Sequence, residues 1–346
     1  MRKFSAIWKQ PYFVIGFVLI TILIGGSFVY EWIYGNVPSQ TFYIEENGKP
    51  VEGQPISPRL EHPIHIFGTD QHGYDLLTKI ILGAKYTILG ALGVAALRML
   101  LAVPVGLIIG TYWRKYRHGI NSLMDPIHYF PMTIFAVFIL SPILLMPVEG
   151  FTSTLMERIM IEVIILALLT SPIVISLVAN ETSLIYTQEY ILASKALGAG
   201  NGRLIIKHIL PQLREKLVII FGQQVVETLI LFTHLGIMKL FLGGTKVSYD
   251  PEMPDPPMSI SYEWAGLLGD TFRYLVGAPW LPLTPAAFFA VLIFAISSMM
   301  EGYIRATNPE LIPRKRKRIT RIQDEVIEWN REQLREKMEL LKQVQK

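Results

Sequence analysis

Arg98, Glu227 and His234, side chains able to carry charge, fall inside long apolar runs of this 346-residue chain. A charged group costs so much in hydrocarbon that it faces a partner, a cavity or a conduction path. Glu227 and His234 are seven residues apart, two turns of a helix, so a helix through them places both on roughly one face. Metal binding by that pair needs more ligands, and His62, His65, His72, His118, His128 and His208 are not spaced to supply them. Disulfide and thiolate chemistry is excluded because there is no cysteine. No HExxH, GxSxG or GxxxxGK[ST] motif occurs for a metalloprotease, a serine hydrolase or a nucleotide-phosphate site. The three candidates therefore point to passage through a membrane.

A second stretch has pattern without chemistry. Residues 189–211 read EYILASKALGAGNGRLIIKHILP. The spacing predicts a short helix over Tyr190–Leu197, a break at Gly198, Gly200 and Gly202, and a second helix from Leu204 to Leu210 before Pro211. A helix, an elbow and a second helix make a compact knob. The same pattern also suits an amphipathic pair lying on lipid headgroups.

The elements that position these residues are membrane helices. The composition is 51% hydrophobic and 17% charged, far more apolar than a soluble chain. Six runs long enough to cross a bilayer can be drawn: Tyr12–Tyr30, Tyr86–Trp113, Ile127–Val148, Val163–Asn180, Leu217–Leu235 and Leu281–Met300. Hydrocarbon leaves no water for stray backbone groups, so the fold class is all-α and polytopic. With the N-terminus inside, the inner segments carry 23 Lys and Arg and the outer ones eight. That asymmetry places both termini in the cytoplasm and explains the +4 net charge without nucleic acid. The first run, with no small-residue cleavage site after it, is expected to be a retained anchor.

The resulting organisation is a cytoplasmic N-terminus and first helix (1–32), an extracytoplasmic segment (33–85), a core of five helices (86–303) and a basic amphipathic tail (304–346). Within the core lie a polar loop at 181–216 and an outer loop at 236–280. In the 33–85 segment, Thr69 or Asp70 is expected to cap the second helix. Gly106 and Gly110 have the spacing that lets membrane helices approach closely. At Ser171-Pro172 a helix is expected to be interrupted, with a hydroxyl or a neighbouring helix taking the freed carbonyl. The outer loop centres on YDPEMPDPPMS and is expected to be extended and exposed, with Trp264 and Trp280 at the interface. In the tail, Arg314–Arg318 suits anionic lipid, and the spacing after it predicts an amphipathic helix.

Taken in order, these residues resemble the permease subunits of binding-protein-dependent ABC importers, in the dipeptide/oligopeptide and nickel branch. The family's cytoplasmic EAA loop runs E-Y-x-E-A-A-x-A-L-G-A and later H-x-L-P. Glu189, Tyr190, Ala193, Ala196, Leu197, Gly198, Ala199, His208, Leu210 and Pro211 fit it, while Leu192 replaces the signature acid and Ser194 an alanine. GTDQHGYD resembles GTDxxGRD, with Tyr74 for Arg. Asp125 and Pro131 keep a D-x5-P spacing, and ETLILFTHLG, WAGLL, APWLPLTP and RATNP follow the family's later motifs in order.

The resemblance implies a non-catalytic subunit that forms a pathway with a second homologous permease, as the second member of a heterodimer. It implies two cytoplasmic ATPases that bind ATP and Mg, an extracytoplasmic solute-binding protein, and a bacterial or archaeal plasma membrane. The 189–211 loop would couple to the ATPases, and Arg98, Glu227 and His234 are candidates for the path. Peptides are the implied cargo, with nickel complexes, opines and oligosaccharides as alternatives in the same branch. An ion-coupled secondary transporter is the rival class, but no inverted repeat or matched pair of broken helices is visible.

Overall fold

The computed structural model describes residues 6–40, 43–44, 50–51, 56–58, 60, 65–116, 119, 122, 131–249 and 257–307. Its helices are Pro11–Tyr34 (α1), Leu76–Thr111 (α2), Met132–Leu144 (α3), Leu155–Tyr186 (α4), Glu189–Ala196 (α5), Asn201–Leu204 (α6), Leu210–Ile237 (α7), Trp264–Thr271 (α8) and Trp280–Thr307 (α9). Tyr43–Ile44 with Pro50–Val51, and Thr245–Lys246 with Met258–Ser259, form two small antiparallel ladders. Among the described residues, five helical runs are long and apolar enough to span a bilayer; one of them is continuous from Asn201 to Ile237. α3 is a shorter apolar helix, and residues 127–130 of the expected third span lie outside the described residues. Asp125, the acidic centre of the outer loop at 250–256 and the tail at 308–346 lie outside them too.

α2 begins at Leu76 rather than at Tyr86, because two lysines that break its hydropathy are neutralised. Lys79 pairs with Asp70, and Lys85 pairs with Glu31 at 2.6 Å, both lysines being buried. The cap is neither Thr69 nor Asp70. Asp75 accepts from the Thr78 amide at 3.0 Å, satisfying an N-H that the helix leaves without a partner. Asp70 instead folds the preceding loop, accepting the His72 and Tyr74 amides at 2.9 Å each. Thr69 accepts the Ile56 amide at 3.0 Å.

The core is built on α2 against α4, the most extensive helix pair. Gly106 and Gly110 sit where a Cβ would meet Val178, Ala179 and Thr182, so the backbones approach as their spacing predicts. α4 starts with a capping box, Thr154 and Glu157 each satisfying the other's amide. It then runs unbroken through Pro172. A proline withholds an amide from the carbonyl four residues back, and the Ser171 hydroxyl donates to that carbonyl, Leu168 O, at 2.9 Å. α1 packs on α9 and α2, with much of its surface exposed.

The segment between α7 and α9 departs most from expectation. Trp264 is wholly buried rather than interfacial: its indole N-H donates to Ile80 O at 2.8 Å and its amide to Thr87 Oγ1 at 3.0 Å. It stacks edge-on with Phe288 and Phe289 of α9. Glu263 is also buried and caps α8 through the Ala265 amide at 2.7 Å. Gly236 and Gly269 let α7 and α8 pack backbone to backbone. The part of this loop from Ser259 to Thr271 is therefore folded into the core, because Trp264 finds partners on α2 and α9 and Glu263 takes the Ala265 and Leu242 amides. Trp280 is half-buried at the start of α9.

Candidate functional site

Two sites emerge, one at each of the patterns singled out by the residues. The first is the knob between α4 and α7. Its first helix covers Glu189–Ala196, with Glu189 in the opening turn and Lys195 in the last, each sign matched to the helix dipole. Gly198 closes it at φ +89, donating to Lys195 O at 2.9 Å while Ala199 donates to Ser194 O at 3.1 Å. That is a Schellman cap, which needs the left-handed conformation that glycine adopts without strain. A side chain at 198 would meet nothing within 4 Å, so the demand is conformational rather than steric.

The elbow is shorter than the three glycines suggest. α6 starts at Asn201, so Gly202 lies inside it. A π-helical stretch, Ile205–Ile209, joins α6 to α7, and Pro211 follows it as the second residue of α7 within the continuous helical run.

One apolar anchor holds the short helix. Ile191 is wholly buried with Leu204, Ile209 and Leu213, whereas Glu189, Tyr190, Leu192, Ala193, Ala196, Leu197 and Gly198 are exposed. Ser194, Ala199 and His208 are half-buried; Leu210 and Pro211 are exposed. Polar contacts fix the angle between the two helices. The Tyr190 hydroxyl bonds Gln212 and its ring lies 6.5 Å from that of His208. The Tyr186 hydroxyl, taking Lys195 Nζ at 3.0 Å, lies 3.2 Å from Asn201 Oδ1. Tyr186, Asn201 and Gln212 carried no signal in sequence, since their roles depend on contacts between helices. The result is a rigid projection tipped with apolar side chains, Leu197 at 89% exposure being the extreme.

The second site gathers Arg98, Glu227 and His234. All three line one cavity of about 210 Å³ with Met132, Thr170, Ile173, Ile230 and Leu231. Arg98 is buried, and its NH1 donates to Gln224 Oε1 at 2.5 Å. Glu227 Oε2 stands 3.8 Å from the same nitrogen, an ion pair without a hydrogen bond, on a side chain that is 58% exposed. Nε of Arg98 is buried with no acceptor among the described residues. His234 Nδ1 lies 3.5 Å from Thr133 Oγ1 on α3. Gln224 escaped the sequence reading although it lies one turn before Glu227, because an amide in an apolar run costs less and stands out less than a charge. Among the described residues no cluster of His, Asp and Glu could hold a metal ion.

A multi-pass helical membrane protein with a projecting, apolar-tipped helix pair and a charged cavity among its spans is the class these features define. The family model described as binding-protein-dependent transport system inner membrane component matches residues 102–309, more than half of the chain, and the chain belongs to that family. Among curated relatives, the dipeptide transport system permease protein of Alkalihalophilus pseudofirmus is 26% identical over 316 residues, covering 90% of each chain. The oligopeptide transport system permease protein of Bacillus subtilis is 27% identical over 71% of this chain and 72% of its own. A glutathione transport system permease protein of Pectobacterium atrosepticum is 22% identical over 71% of this chain and 73% of its own.

Proposed function

We propose that the chain is a permease subunit of an ATP-driven, binding-protein-dependent importer of dipeptides or oligopeptides. It forms the pathway with a second homologous permease, receives cargo from an extracytoplasmic solute-binding protein and is driven by two cytoplasmic ATPases that bind ATP and Mg. The family membership and the peptide-transport names of its relatives support the class. The observation that carries the mechanism is the knob: a helix held by one buried residue and capped rigidly by Gly198 presents its free face outward. Such a body transmits displacement as a unit when a partner grips it.

In this reading the knob seats in a groove of an ATPase, and both chain termini lie on the same cytoplasmic side. Leu192 and Leu197 make the contact apolar where the family's loop has an acid. Arg98, Glu227 and His234 line the path. The test is reconstitution of the whole complex in proteoliposomes with Gly198→Asp or Ala193→Glu. The expected outcome is a permease pair that still assembles but loses ATPase association and ATP-dependent uptake; unchanged uptake by both variants overturns the docking.

A further inference from the structure

Arg98 is under-satisfied for a guanidinium in a membrane helix. It offers five N-H donors, yet its fixed partner is the neutral amide of Gln224, Nε meets no acceptor among the described residues, and Glu227 stands beyond hydrogen-bond reach. Glu227, meanwhile, turns more than half of its side chain out toward the cavity. A buried guanidinium with spare donors recruits a planar oxyanion, and an exposed carboxylate beside it recruits an ammonium. Bringing in either ion alone leaves the other resident charge uncompensated in a low-dielectric site. A molecule that carries both exchanges partners with the resident pair at constant net charge.

We propose that Arg98 and Glu227 form a charge-exchange subsite for zwitterionic cargo, Arg98 taking the carboxylate terminus and Glu227 the ammonium terminus as their own pairing loosens. The proposal rests on the peptide-importer reading above and names what the path recognises. Both residues are positioned for this: Arg98 is held on α2 by Gln224, whereas Glu227 is free to swing into the cavity.

The experiment uses the complete transporter in proteoliposomes and three matched pools of mixed di- and tetrapeptides: free termini, C-terminal amides and N-acetylated forms. Uptake of each pool by a variant is divided by wild-type uptake of the same pool, so the binding protein's own preference cancels. Arg98→Gln is expected to lower free-termini and acetylated uptake about tenfold while leaving the amides within about twofold, the scale of one lost charge-assisted bond. Glu227→Gln is expected to spare the acetylated pool instead. Arg98→Lys, which keeps the charge but not the planar fork, is expected to show the same pool selectivity at smaller amplitude. Binding-protein-stimulated ATPase activity reports assembly for every variant. Equal loss across the pools in both Arg98→Lys and Glu227→Gln, or no loss, overturns the exchange and leaves the importer reading standing. Absence of ATP-dependent uptake of all three pools by the wild type overturns the peptide reading and the exchange with it.

Discussion

The segment joining α4 to α7 and the segment joining α7 to α9 both connect long apolar helices, and they are built in opposite ways. The first is anchored by three apolar side chains, Ile191, Leu204 and Ile209, with Leu192, Leu197 and Ile206 in the open. The second is sewn into the protein by Trp264, Glu263, Thr245, Ser259 and Ser261, all buried. Lys239 reaches Gly269 O across it and Ser261 donates to Leu242 O at 2.7 Å. A connection with few internal anchors moves as a body and exposes its surface to a partner; one with many moves only with the core. Change in the second should therefore break the fold, and change in the first should break coupling.

The largest effect is expected from Trp264→Ala, which empties a fully buried aromatic site and removes the indole hydrogen bond to Ile80 O: about 3–5 kcal/mol of stability, read as a drop in the unfolding midpoint of the purified protein in detergent. Next comes Glu263, whose carboxyl is raised by burial from 4.5 to about 7 against the opposing Ala265, Leu242 and Gly266 amides. The unfolded chain ionises first, so this group's stabilising contribution is full below about pH 4.5, falls as pH rises toward 7 and is lost above it. Glu263→Gln keeps an acceptor for the amides and is expected to flatten that fall, which amounts to about 3 kcal/mol.

Smaller still is Gly198→Ala, about 1 kcal/mol for a side chain in the left-handed region, with uptake falling far more than the unfolding midpoint. Leu192→Glu is expected to change stability by under about 0.5 kcal/mol while altering ATPase association measured by co-purification. A knob substitution that destabilised the protein as much as Trp264→Ala would erase the contrast between the two segments.

What could be read in advance divides along the same line. The ends of the short helix, the turn at Gly198, the Gly106–Gly110 approach and the hydroxyl beside Pro172 are local, and their residue types state them. The start of α2 was hidden because Lys79 and Lys85 look forbidden in an apolar helix until Asp70 and Glu31 are seen opposite them. Trp264 has the composition of an interfacial anchor and is a core residue only because Ile80, Phe288 and Phe289 surround it. The convergence of Arg98 with Glu227 was visible only as two separate oddities; their common cavity depends on how α2 lies against α7.

The π-helical stretch at Ile205–Ile209 has a consequence of phase. Leu204, Ile209 and Leu213 are all wholly buried, at spacings of five and then four. An ordinary α-helix would turn the first of these steps out of line, whereas the Leu210 amide reaching back to Ile205 O takes up one extra residue, about 100° of rotation. The knob is thereby set at a fixed angle to the face of α7 that carries Glu227 and His234. Removing Lys207 alone would leave His208, Ile209 and the charged cavity in place and turn one site against the other, so their mutual orientation is fixed by a residue count.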